Sequence, residues 1–100
     1  MCANWILQEN IKPLLGTISR FVGAELNNWD WDAITLGLKN TDHEHGQWFD
    51  YQFQARDSVK VRLALERGTE LLFVELESNP RIELQCEVAL SIMQDYRLKP

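Results

Sequence analysis

From Val59 to Leu65 the chain alternates without a break: Val59, Val61, Leu63 and Leu65 fall on one side, Lys60, Arg62 and Ala64 on the other. Leu72, Val74 and Leu76 repeat the pattern against Phe73, Glu75 and Glu77, with Gly68 between the two runs. Successive side chains of a strand point to opposite faces, so this period commits both segments to strands with one dry side. A two-residue turn at Arg67-Gly68 sets Val59 against Leu76, Val61 against Val74 and Leu63 against Leu72. A slip of one residue would oppose Val59 with Glu75. The same register puts Lys60 across from Glu75 and Arg62 across from Phe73, an ion pair and a cation–π contact on the wet face. Arg is a poor residue for positive φ, which leaves the turn type open.

Upstream, Ile34, Leu36 and Leu38 alternate with Thr35, Gly37 and Lys39; after a polar run from Asn40 to Gly46, Phe49, Tyr51 and Phe53 alternate with Trp48, Asp50 and Gln52. These read as a further hairpin. A sheet with one dry face needs a cover, and both ends of the chain supply helical periods. Trp5, Leu7, Ile11, Leu14, Leu15, Ile18, Phe21 and Val22 form one stripe from about residue 4 to 23, with Asn4 as N-cap and Gly23 as stop signal. Pro13 is discordant there, and a kink near Asn10 or two shorter helices both accommodate it. Asn79-Pro80 opens a closing helix in which Leu84, Val88, Ile92 and Tyr96 recur every four residues beside Ala89 and Met93. The expected fold is one α+β domain over residues 1–100: an N-terminal helix, a four-stranded antiparallel β-meander and a C-terminal helix, in two layers with both helices on one sheet face. Trp48, Asp50, Gln52, Lys60, Arg62, Phe73, Glu75 and Glu77 are left on the opposite face.

Charge narrows the partners. Between Glu25 and Asp50, six acids (Glu25, Asp30, Asp32, Asp42, Glu44, Asp50) against the one base Lys39 give a net charge of −5, equal to that of the whole chain, and three of the four tryptophans lie there. Acid mixed with tryptophan suits a surface that grips a basic protein; phosphate contact needs clustered Lys and Arg, so nucleic acid is not an expected partner. No apolar run exceeds four residues and the N-terminus lacks a basic start and an apolar signal core, so neither a membrane partner nor a leader is expected, and a cytoplasmic location follows. Cys2 and Cys86 do not suggest a stapled scaffold.

Asp42-His43-Glu44-His45 is the one cluster with metal-ligand chemistry, but no Cys or further His completes a tight site, and a solvated loop is the plainer reading. Neither a metal nor another cofactor is expected. No carboxylate sits on an apolar strand face, no elbow motif surrounds Ser19, Ser58, Ser78 or Ser91, and Cys86 has no evident base, so an enzyme is not expected. In Trp29-Asp30-Trp31-Asp32, an extended backbone would send both tryptophans one way and both carboxylates the other, leaving at least the acids to a partner. Glu75, Glu77 and Glu83 form a second acidic group, with Lys60, Arg62 and Arg81 near enough to pair with some of them.

The block Gly46-Gln47-Trp48-Phe49-Asp50-Tyr51-Gln52-Phe53, the alternating strand, the Gly-containing turn, Leu72-Phe73-Val74-Glu75-Leu76 and a helix ending Ile92-Met93-Gln94-Asp95-Tyr96 together resemble the small immunity proteins of bacterial contact-dependent growth inhibition systems. The resemblance covers roughly residues 30 to 97 and implies a cytoplasmic antitoxin that binds and blocks a toxin domain, often a nuclease. A nuclease carries a basic cleft, which an acidic, aromatic surface complements. The expected contacts are Trp29, Asp30, Trp31, Asp32, Asp42, Glu44 and Asp50, with Trp29 or Trp31 as anchor. Two other readings stand beside it: an interaction or regulatory domain, homodimeric through its exposed sheet face, and a small metal-dependent enzyme using His43 and His45. The oligomeric state is open.

Overall fold

The strand pair that dominates the sequence pattern lies inside the sheet. The computed structural model describes residues 1–93, and in it β3 (Val59–Leu65) runs between β2 (Phe49–Phe53) and β4 (Leu71–Glu77), with β1 (Cys2–Leu7) along the outer side of β4. All three pairings are antiparallel. Helices α1 (Ile11–Val22), α2 (Asn28–Lys39) and α3 (Pro80–Met93) complete an α+β fold, with a single 3-10 turn, Gln8–Asn10, leading into α1.

The β3–β4 register differs from the expected one by two residues: Val61 pairs with Leu76, Leu63 with Val74 and Leu65 with Leu72. An even shift keeps every side chain on its face, so the dry pairing survives while the partners change. The connection is responsible, because it spans Glu66 to Glu70 rather than two residues. The Glu66 N–H donates to the Leu71 carbonyl (3.0 Å) and the Thr69 N–H to the Glu66 carbonyl (3.2 Å), and Gly68 alone takes the left-handed conformation, φ 83°. Lys60 therefore faces Glu77, Arg62 faces Glu75 and Ala64 faces Phe73; the anticipated Lys60–Glu75 and Arg62–Phe73 pairs do not form.

The single N-terminal helix is a strand followed by a helix. Cys2 to Leu7 pair along β4 from Leu76 to Leu71, and Asn4 is a strand residue rather than an N-cap. Pro13 stands third in α1, where its missing N–H would have had no intrahelical acceptor, so neither a kink nor a second helix is needed. Leu14, Leu15, Ile18 and Val22 are the buried face of α1, and Gly23 (φ 72°) ends it as its position suggested.

The expected strand at Ile34, Leu36 and Leu38 is helix α2. Asn27 caps it in a reciprocal box: its side chain accepts from the Asp30 N–H (2.9 Å), and the Asp30 carboxylate accepts from the Asn27 N–H (3.0 Å). Trp31, Ile34 and Leu38, at i, i+3 and i+7, turn inward, while Leu36 is 65% exposed. The fourth strand is consequently β1, and β2–β3–β4 is a three-stranded meander.

Ala64 and Leu71 are buried on one side of the sheet, while the main core cluster belongs to the other. Ile6, Leu72, Val74, Leu76, Val59, Val61, Leu63 and Phe53 are buried there beneath α1, α3 and Ile34 of α2. Gly37 lets α2 lie against β2, since a Cβ at that position would overlap the Phe49 ring. Asn79 caps α3 through Ile82 N–H (3.0 Å), with Pro80 first in the helix. The stripe expected to be buried is not the buried one: Ile82, Cys86, Ala89 and Leu90 face the core, whereas Leu84, Val88 and Ile92 are 64%, 55% and 78% exposed, and Tyr96 lies outside the described residues. α3 carries apolar side chains on two faces, and the face with small Cys86 and Ala89 admits close packing against β1 and α1.

Candidate functional site

The acidic, tryptophan-rich segment divides at α2, because the first group of its candidate residues rides on the helix and the second lies beyond its C-terminal end. Twelve helical residues span about 18 Å.

At the near end, helical rather than extended backbone separates the two tryptophans. Trp29 is 81% exposed. Trp31, two residues on, is half-buried against the core with the Lys12 ammonium 5.7 Å from its ring centroid. The two acids part in the same way. Asp30 is held in the capping box and lies close to Tyr51 of β2, whose phenol is pushed up first by burial and then by that carboxylate. Asp32 points outward. The outer face of α2 is thus Trp29, Asp32, Ala33 and Leu36, all exposed and within a narrow arc of the helix. An alternating reading of Ile34, Leu36 and Leu38 hides this face, since it sends Leu36 inward; the signal that could have found it is the Asn27–Asp30 box followed by the Trp31, Ile34, Leu38 spacing.

At the far end, residues 42–47 form a turn between α2 and β2 rather than a hairpin tip, closed by paired backbone bonds between Asp42 and Gln47 (2.8 and 2.9 Å). Buried Thr41 anchors it: its hydroxyl donates to the Leu38 carbonyl (2.7 Å) and accepts from the Leu65 N–H (3.0 Å). The Asp42 carboxylate accepts from the Glu44 N–H (3.1 Å) and pairs with His45 Nδ1 (2.8 Å). That bond holds the Asp42 carboxyl below its ordinary range and lifts the His45 imidazole above its own. Glu44 is exposed. His43 leaves the turn for the open sheet face, its ring centroid 4.8 Å from Trp5, 5.1 Å from Phe73 and 5.4 Å from Trp48.

A helical reading of Trp5 hides this aromatic group. Once Trp5 is a strand residue opposite Phe73, it falls beside His43 and Trp48 on the sheet face away from the helices. Next to it, Arg62 donates to Asp50 (3.0 Å) and stacks over Trp48 at 5.0 Å. Asp50, Arg62 and Glu75 stand in one cross-strand row; Gln52, Lys60 and Glu77 form the next. Charges there alternate and offset one another.

Compared with protein-family models, curated proteins and solved structures, the chain matches none.

His43 and His45 do not converge on one point, and among the described residues no three His, Cys, Asp or Glu side chains are grouped to hold a metal ion. Cys86 is a core side chain whose thiol is pushed up to about 12 by burial, with smaller contributions from Cys2 and Glu83. Among the described residues, no helix is long and apolar enough to cross a membrane.

Proposed function

We propose that the protein is a binding module for a basic protein surface, acting as an immunity protein that neutralises a cognate toxin domain, with a nuclease as the toxin class its charge fits best. The observation that carries this reading is the outer face of α2, where Trp29 is 81% and Leu36 65% exposed around Asp32. Large exposed apolar side chains beside a carboxylate have the makeup of an interface anchor: the indole fills a pocket while the acid selects a basic rim. Asp32 and Glu44 are the acids best placed to steer, because Asp42, Asp50 and Asp30 are already engaged by His45, Arg62 and the α2 cap.

The test is co-expression with the toxin domain encoded by the reading frame that directly precedes its gene. A stoichiometric complex and rescue of growth are expected. Failure of a well-folded pair to associate, or a gene with no toxin frame beside it, contradicts the proposal.

A homodimeric interaction domain is the second reading. Its supporting observation is the exposed Leu84, Val88 and Ile92 stripe of α3 rather than the open sheet face, where the aromatic rings pack on one another and Arg62 pairs with Asp50. Sedimentation velocity distinguishes the two, a monomer at all concentrations removing this one.

A further inference from the structure

Three arginines of an acidic chain meet in one place. The last turn of α1, the loop between β2 and β3 and the first turn of α3 flank a wide, open cleft of about 630 Å³ lined by Arg20, Phe21, Ala24, Arg56, Asp57 and Arg81. The protein has ten Lys and Arg residues against fifteen Asp and Glu, so three guanidinium groups facing one carboxylate stand out from the general balance.

That carboxylate is already committed. Asp57 accepts from Asn79 Nδ2 at one oxygen (2.9 Å) and from Arg81 Nη2 at the other (3.1 Å), which ties the loop to the start of α3 and cancels one of the three positive charges. Arg20 spends one donor on the Thr17 hydroxyl (3.2 Å) and offsets the negative end of α1. Arg56 has no hydrogen-bond or ion-pair partner among the described residues. A guanidinium offers five N–H donors in a planar fork, so most of the donors around this cleft remain open. Arginine forks match the oxygens of a phosphate group, and a space of this size exceeds what one phosphate fills. Phe21, which is exposed on the same wall, supplies an apolar surface for the remainder of a ligand.

We propose that this cleft binds a small phosphomonoester: the phosphate between Arg20 and Arg56 with Arg81 behind it, and the flat apolar body against Phe21. The site is separate from the outer face of α2 and does not depend on the immunity reading.

Phenyl phosphate and inorganic phosphate are the probes, titrated into the full chain at low salt and followed by the backbone amide shifts. Saturable shifts confined to residues 20–24, 54–57 and 81 are expected, with phenyl phosphate binding more tightly than inorganic phosphate. Arg56→Ala, in an exposed loop, should weaken phenyl phosphate about tenfold or more, as the loss of a charge-assisted contact does. Arg20→Gln should act in the same direction, while Lys39→Ala leaves affinity unchanged. The proposal is overturned if neither probe gives saturable shifts up to about 10 mM, if the shifts scatter over the surface, or if Arg56→Ala and Arg20→Gln both bind like the parent protein.

Discussion

The two ends of α2 belong to one acidic, tryptophan-rich segment, and they place their tryptophans and acids in different surroundings. Beyond the C-terminal end, Asp42 pairs with His45, Asp50 pairs with Arg62, and Trp48 is stacked among His43, Phe73 and Arg62. Before and along the helix, Asp32 and Trp29 project outward with Leu36. Composition counts these regions alike, although among the acids of the first only Glu44 is left without a structural role, whereas in the second Trp29, Asp32 and Leu36 form one exposed face. Charge is available for recognition only where the fold has left it unpaired.

The sharpest way to break this contrast is to truncate the two faces of α2. Ile34→Ala should cost about 2–5 kcal/mol of stability in urea unfolding, because a fully buried side chain leaves a cavity. Trp29→Ala should stay within about 0.5 kcal/mol, as exposed positions do. A comparable loss from both would mean that Trp29 is a packing residue. Asn27→Ala removes one half of the α2 capping box and should cost about 1 kcal/mol. That loss would confirm that the Trp29–Asp32 segment is helical in solution.

A sequence pattern specifies structure where it admits one solution. The Val59–Leu65 and Leu71–Glu77 strands were legible because a shift by one residue exposes every apolar side chain; the shift by two that does occur keeps the faces and is therefore invisible to that criterion. Ile34 and Leu38 satisfy both a period of two and a helical spacing, so Leu36 alone separates strand from helix, and the Asn27 cap decides it. Pro13 is accommodated in the first turn of α1, but the residues before it are apolar enough to continue a helical stripe, and only pairing with β4 makes them a strand. On α3 the i+4 series Leu84, Val88, Ile92 competes with Ile82, Cys86, Ala89, Leu90, and tertiary packing chooses the second. Of the seven candidate contacts, Trp29 and Asp32 converge on one surface, Glu44 stays exposed on the turn beyond α2, and Asp30, Trp31, Asp42 and Asp50 take structural partners that no local pattern announces.

Smaller effects sharpen the comparison. Asp32→Asn should slow association with a basic partner more than Asp50→Asn does at low salt, and the difference should shrink as the Debye length falls to about 3 Å near 1 M salt. Stopped-flow mixing measures this; equal rates for the two variants would remove steering from the α2 face. The pH dependence of the Asp42–His45 pair has a defined sign. His45 is raised above its ordinary 6.5, so its contribution is full below that pH and fades as pH rises through the higher folded value. Asp42 is lowered from 3.8, so its contribution is present above that pH and is lost as pH falls through the lower folded value. An NMR titration should place the His45 midpoint above 6.5, returning toward 6.5 in Asp42→Asn.

The claim on which the functional reading rests is that the outer face of α2 touches the partner and the open sheet face does not. Calorimetric titration of the cognate toxin domain into the parent protein, Trp29→Ala and Trp48→Ala decides it. The account predicts that Trp29→Ala loses at least about 2 kcal/mol of binding free energy, the scale of an interface anchor, while Trp48→Ala binds within about 0.5 kcal/mol of the parent. Unchanged binding by Trp29→Ala, with the loss falling on Trp48→Ala instead, would contradict it.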